Sequence, residues 1–404
     1  MSGALGALAG VRVLDLTRLL PGPFCSRVLG DLGAQVDKLE DTGAGDYLRV
    51  MPPIVARGAG PAGENCNAAF ELLNTGKRSL SIDLKAPEGR ETFLQIAGTY
   101  DVVLESFRPG VLTRLGCGPA ILLEKYPGIV LVSITGFGSV GPDAERPGHD
   151  LGYLARGGVL GVSGPPGVPP AVPGAQMADI GAGLWGVIGV LAALRERDRT
   201  GAGQHVEISL LEAAAPFALY TLSETLLRSA EVAGASHARD AAPPASRGDG
   251  PLTGGLAVYG TYATKDGRAV ALASVEPKFL APFFADQNLE LHFEVLAPGE
   301  HQVRLREKLQ EVFASKPAVE WREYAATWDI CLEVVSTPEE WRTDPQRLAL
   351  AGNRPASLMP MPLGTPSLGG APKRGEHSSE VLLGAGMAAS QVSDLLLRGV
   401  VQQH

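Results

Sequence analysis

The chain has 404 residues, 51 of them glycine and 31 proline, with 45% hydrophobic; that length predicts two or three domains with cores that need no disulfide or metal support. Acidic residues outnumber basic ones 44 to 35, for a formal charge of -9. With no long Lys/Arg run, a nucleic-acid or anionic-membrane surface is not expected, because neutralising phosphates needs a basic stripe.

The elements begin with a short β-rich run at 11–16 (VRVLDL), a Pro-Gly-Pro turn, a helical stretch at 24–32 and a second strand at 35–40. The pattern repeats: strand at 78–84, helix at 87–97 opening on a proline, strand at 101–106 (DVVLES), helix at 112–125, strand at 129–135 (IVLVSIT). Apolar, β-branched strands alternating with amphipathic helices predict an α/β fold with a mainly parallel, doubly wound sheet. Glycine and proline then crowd residues 136–174, too long a structureless loop for a compact domain unless it is functional.

A helix is expected over 184–197, with Leu184, Val187, Ile188, Leu191 and Leu194 on one face. A strand at 205–213 runs into another helix, and 232–255 reads as an inter-domain linker of Ala, Gly, Pro and Ser. Residues 258–264 and 269–273 flank Lys265-Asp266-Gly267, a hairpin signal. Residues 278–329 are helix-rich, and 362–375 returns to Pro/Gly-rich coil before a last helix.

Cys25, Cys66, Cys117 and Cys331 form no CxxC pair and no Cys/His cluster, so neither a zinc site nor a disulfide framework is expected. Residues 1–8 lack a basic n-region, and the longest apolar stretch, 183–194, is 12 residues against the ~20 that span a bilayer. The expectation is a soluble cytoplasmic protein.

Four groups of residues can carry chemistry. Asp179, in MADIGAGLWG, stands just before the expected helix: it is either a capping aspartate or a carboxylate held ionised by the helix dipole, with glycine N–H groups beyond it ready for an oxyanion. Gly181, Gly183 and Gly186 spell GxGxxG, but prolines rather than a strand precede them, which argues against a dinucleotide site. His149 lies in a glycine-rich loop after a strand end, where ligands of parallel sheets sit, and is the best base among the histidines. Glu276 trails an apolar strand before Pro277; it is either a solvated turn residue or a partly desolvated carboxylate suited to proton transfer. Arg18, Lys77, Arg78, Arg108 and Arg114 flank strand ends and either are scattered surface charge or line a crevice for phosphates.

Several segments together resemble one family: VRVLDLTRLLPGPFCSRVLGDLGAQV, GKRSLSIDLK, DVVLESFRPGVLTRLG, SITGFGSVGP, PGHDLGYLARGG, ADIGAGLWGVIGVLAAL, TGAGQHVEISLLEA and DGRAVALASVEPKF. The chain is similar to the family III CoA transferases (the CaiB/BaiF superfamily), which include formyl-CoA transferase and α-methylacyl-CoA racemase. The resemblance implies a large Rossmann-like domain built from both chain ends (1–225, completed by 331–404), a linker at 226–255, a smaller α+β domain at 256–330, and an interlocked homodimer. It implies an acyl-CoA substrate, with coenzyme A as part of that substrate and no permanently bound cofactor or metal.

By position, Arg18, Lys77, Phe107, Arg114 and Leu115 resemble residues that hold CoA, while Asp41 stands where the family often has arginine. Asp179 matches the transferase nucleophile, His149 the histidine that racemases pair with it, and Glu276 the glutamate facing the other side of the substrate. The triple implies a 2-methylacyl-CoA racemase, which needs two acid/base groups flanking an enolate, with N–H groups near Gly181 and Gly183 meeting the oxyanion. The alternative is a CoA transferase using Asp179 as nucleophile through an acyl anhydride and an aspartyl-CoA thioester. A nicotinamide-dependent enzyme has no seat in a first strand followed by LLPGPF.

Overall fold

In the computed structural model, residues 6–56, 65–231, 247–352 and 370–404 are described. Residues 232–246 of the expected 226–255 linker and 362–369 of the expected 362–375 coil lie outside them. The chain divides into two compact units, the first from residues up to 154, 175–214 and from 350 onward, the second from 155–174 and 215–349.

The first unit is built on a seven-stranded sheet. Its strands are β1 (Arg12–Asp15), β2 (Gln35–Glu40), β5 (Arg78–Ile82), β6 (Val102–Glu105), β7 (Val130–Thr135), β8 (His205–Ser209) and β12 (Val401–Gln402); β3 (Ile54–Ala56) and β4 (Asn65–Asn67) form a separate small ribbon. The order is β12-β5-β2-β1-β6-β7-β8, all parallel except β12, which pairs antiparallel with β5. Every residue of β6 and β7 is buried, the pattern of strands covered on both faces. Because β2 and β6 flank β1 on opposite sides, the winding reverses there and leaves a crevice at the carboxyl ends of β1 and β6.

The helix expected at 184 begins seven residues earlier and runs Met177–Thr200. Gly183 and Gly186 belong to its packing surface. A Cβ on Gly183 would lie 2.7 Å from the Phe24 ring and 2.8 Å from the Pro21 carbonyl oxygen, and one on Gly186 would lie 3.0 Å from Cys25 Sγ, so only glycine lets this helix close on Pro21–Asp31. The buried stripe is therefore Gly183, Gly186, Val187, Val190 and Leu194, whereas Leu184, Ile188 and Leu191, expected on the core face, are exposed. Among the described residues this is the one helix long and apolar enough to cross a membrane by length and composition, with half of that window buried within the protein.

The 136–174 segment is not structureless, since it carries short helices at Asp150–Arg156 and Val159–Val162.

In the second unit β9 (Tyr259–Ala263), β10 (Ala269–Ala273) and β11 (Leu332–Val334) form an antiparallel sheet in the order β11-β10-β9. The 264–268 turn is the expected hairpin: Thr264 N–H donates to the Arg268 carbonyl at 2.9 Å, and Gly267 takes φ 75. Helices Pro277–Asp286, His301–Phe313 and Ala318–Thr327 join the sheet around a core of Tyr262, Val270, Phe283, Phe313 and Trp321. This unit is larger than the 256–330 segment expected: it starts at 215, takes in 155–174 and gains β11.

Candidate active site

A cleft of about 540 Å3 opens at the topological switch point, lined entirely by the first unit. Leu16, Arg18 and Leu19 enter it from the end of β1, Ser106, Phe107 and Arg108 from the end of β6, and Thr135 and Gly136 from the end of β7. Arg146, His149, Tyr153 and Asp179 also line it.

His149 immediately precedes the helix Asp150–Arg156 and is exposed, with its carbonyl accepting the Gly152 and Tyr153 N–H groups at 2.8 and 3.3 Å. Tyr153 follows four residues later, on the same helical face. Its ring demands glycine on both sides: a Cβ on Gly136 would lie 2.5 Å from its hydroxyl, and one on Gly148 2.7 Å from the ring. Phe137 packs edge-on at 5.0 Å.

Asp179 lies in the first turn of Met177–Thr200, and the capping carboxylate comes from elsewhere in the chain. Asp150 Oδ1 accepts the N–H groups of Ala178 at 2.8 Å and Asp179 at 3.1 Å, satisfying two donors that the helix start leaves open. The consequence for Asp179 is the reverse of the expected one. Burial, then the adjacent Asp150 charge, push its carboxyl up to about 7, outweighing the dipole that was expected to hold it ionised. Burial, then Asp179, also raise the Tyr153 phenol.

Gly181 and Gly183 lie inside this helix, where each N–H faces the carbonyl four residues back, so they are not the oxyanion donors expected. The GxGxxG string is likewise intrahelical, which removes the dinucleotide reading.

The basic residues separate into two groups. Arg18 and Arg108 line the cleft, Arg18 ion-paired to Asp41 at 2.5 Å and Arg108 exposed. Phe107 lies beside them, half-buried against the core. Arg114 and Leu115 are not in its walls; they follow Val111, which is, at the end of the short helix Val111–Arg114, with Arg114 exposed and Leu115 packed on the core.

Lys77 does not face the cleft. Its ammonium is buried on Asp15 at 3.1 Å, Ser26 at 2.7 Å, Asn74 at 2.8 Å and the Pro23 carbonyl at 3.2 Å, and burial draws its pKa down to about 8. Arg78 is engaged by Asp37 through two bonds of 2.7 Å and by Glu380 at 2.9 Å. Both are structural ties. Lys77→Met is expected to cost about 3–5 kcal/mol, because it leaves the Asp15 carboxylate buried without its cation; urea unfolding measures that loss, and calorimetric CoA affinity of the folded variant stays at the wild-type value.

Glu276 belongs to the second unit, at the N-terminus of Pro277–Asp286, with its side chain 54% exposed and Lys278 at 3.6 Å. Within its own unit it is thus solvated, not desolvated as the proton-transfer reading expected. Among the described residues no group of three or more His, Cys, Asp or Glu side chains is arranged to hold a metal.

Among the residues that escaped the sequence reading are Asp150, Tyr153 and the cleft-lining Arg146. Tyr153 was findable from its spacing to His149; Asp150 was not, because its role depends on a helix 28 residues away.

The model of CoA-transferase family III matches residues 8–359. The α-methylacyl-CoA racemase of Mus musculus is 33% identical and aligns over 96% of each chain. The β subunit of a succinyl-CoA–L-malate CoA-transferase from Chloroflexus aurantiacus is 34% identical, over 68% of this chain and 63% of its own. Among solved structures, a CaiB/BaiF family protein from Brucella suis superposes with a TM-score of 0.75 at 28% identity, covering 94% of this chain and 99% of that one.

Proposed function

Because the chain belongs to CoA-transferase family III, whose racemases and CoA transferases both act on CoA thioesters, we propose that it is a 2-methylacyl-CoA racemase. The observation that carries this reading is the Asp179 carboxyl, raised to about 7 and sharing a cleft with His149. A group that titrates near neutrality is matched to proton transfer, whereas a nucleophilic carboxylate works in its ionised form. Full-length similarity to racemases supports the same choice, since the transferase cited aligns over about two thirds.

In this reading Arg18, Phe107 and Arg108 hold the CoA portion, with guanidinium groups meeting its phosphates. His149, supported by Asp179, removes the proton α to the thioester carbonyl, and the electron pair of the broken C–H bond passes into an enolate. Glu276 gives a proton to the opposite face, restoring the C–H bond with inverted configuration; proton exchange with solvent, or turnover of the opposite enantiomer, then resets both groups. Tyr153, its phenol kept protonated by burial, is the donor we assign to the enolate oxygen in place of Gly181 and Gly183. The exposed apolar face of Leu184, Ile188 and Leu191 supports a homodimer.

The test is incubation with one enantiomer of a 2-methylacyl-CoA and no acceptor acid, followed by chiral analysis. The reading expects a racemic product. Unchanged configuration, together with CoA transfer to an added carboxylic acid and a hydroxylamine-sensitive adduct at Asp179, would establish the transferase instead.

A further inference from the structure

We propose that the buried ion pair Lys38–Asp46 is a positioning device that locks Leu19 in a left-handed conformation and so sets the β1 wall of the cleft; this rests on the cleft being the acyl-CoA site. Leu19 has φ 63, and among the described residues Asn288 is the only other non-glycine with positive φ. Non-glycine residues avoid that region, and where they are held in it the surroundings over-determine them, most often at functional sites.

The restraint is visible on both sides of Arg18. Leu19 N–H donates to Asp46 Oδ1 at 3.2 Å, and the Thr17 carbonyl accepts from Lys38 Nζ at 2.8 Å. Lys38 Nζ and Asp46 Oδ2 are 3.0 Å apart, and both side chains are fully buried. Asp46 is fixed in turn, its N–H donating to Glu40 Oε2 at 2.9 Å, with Glu40 gripped by Arg49.

Neither Lys38 nor Asp46 lines the cleft, while Arg18 and Leu19 do. The pair therefore acts through the peptide groups it holds. Without Asp46 the Leu19 N–H loses its acceptor, the residue relaxes toward negative φ, and the Arg18 guanidinium and Leu19 side chain swing away from their places in the wall.

A double-mutant cycle on the full chain tests this, with the dissociation constant of CoA by calorimetry as the primary readout and KM and kcat for a 2-methylacyl-CoA as the second. Asp46→Ala is expected to weaken CoA binding at least about tenfold with leucine at 19, raising KM more than it lowers kcat, but less than about threefold with Leu19→Gly in the background. Glycine adopts the left-handed conformation without a clamp. Should Asp46→Ala fail to fold, Asp46→Asn keeps an acceptor for Leu19 N–H while losing the charge, and is expected to fall between the two.

Equal losses with leucine and with glycine at 19, or no loss in a folded variant, overturn the proposal alone. No CoA binding by the wild type overturns the cleft reading and the proposal with it. CoA binding without racemisation leaves the cycle readable and removes only the racemase assignment.

Discussion

Asp179→Asn is expected to lower racemisation about a thousandfold while CoA affinity stays within about threefold, the scale of a lost acid/base group. Asparagine keeps the shape of the side chain, and the two bonds from Asp150 go to the backbone N–H groups of residues 178 and 179, so the helix start is preserved. What is lost is a carboxyl that exchanges protons near neutrality. Chiral analysis of product and calorimetry with CoA check the two halves.

The same substitution carries a stability signature with a definite sign. Burial and Asp150 raise the folded-state pKa from 3.8 to about 7, so folding favours the protonated form. That contribution is fully present below pH 3.8 and is lost as pH rises toward and through about 7. Asp179→Asn removes this dependence, and its melting temperature should exceed the wild type's at pH 8 by more than at pH 5. Inactive yet more stable at alkaline pH is the profile of a residue kept in a costly environment for its chemistry.

Glu276→Gln is expected to abolish racemisation by a similar factor, about a thousandfold, while sparing half of the chemistry. With Glu276 gone, His149 still removes the α-proton from the enantiomer that presents it, and a solvent deuteron returns to the same face. One enantiomer should therefore gain deuterium with retention of configuration while the other is inert, and His149→Ala should show the opposite preference. This result would assign Glu276 a role that its 54% exposure within its own unit does not announce. Equal exchange of both enantiomers by Glu276→Gln would instead mean a single-base reaction.

The sheet was legible because its strands are short apolar runs separated by helices such as the one that opens on Pro87; Pro21, read as part of a turn, in fact opens the first helix. The 265–267 hairpin was legible because its turn needs a glycine at positive φ. Less legible was whatever depends on the surface that a residue meets. Gly181, Gly183 and Gly186 read locally as a GxGxxG string or as N–H donors, and only the approach of Phe24, Pro21 and Cys25 shows the last two to be packing positions.

Lys77 and Arg78 sit beside strand ends like Arg18, yet Asp15 and Asp37 draw them out of the crevice. Asp179 looked like a cap, but Asp150 takes that place, and burial, then the Asp150 charge, raise its pKa. In each case the residue type was read correctly, and a partner distant in sequence changed what it does.

The most direct test is mass spectrometry of a 2-methylacyl-CoA after incubation with the protein in D2O, with no acceptor acid present. A gain of one deuterium at the α-carbon, lost with Asp179→Asn for the enantiomer that presents its α-proton to His149, is the expected result; a substrate that binds and returns with its α-hydrogen intact contradicts proton transfer at this site.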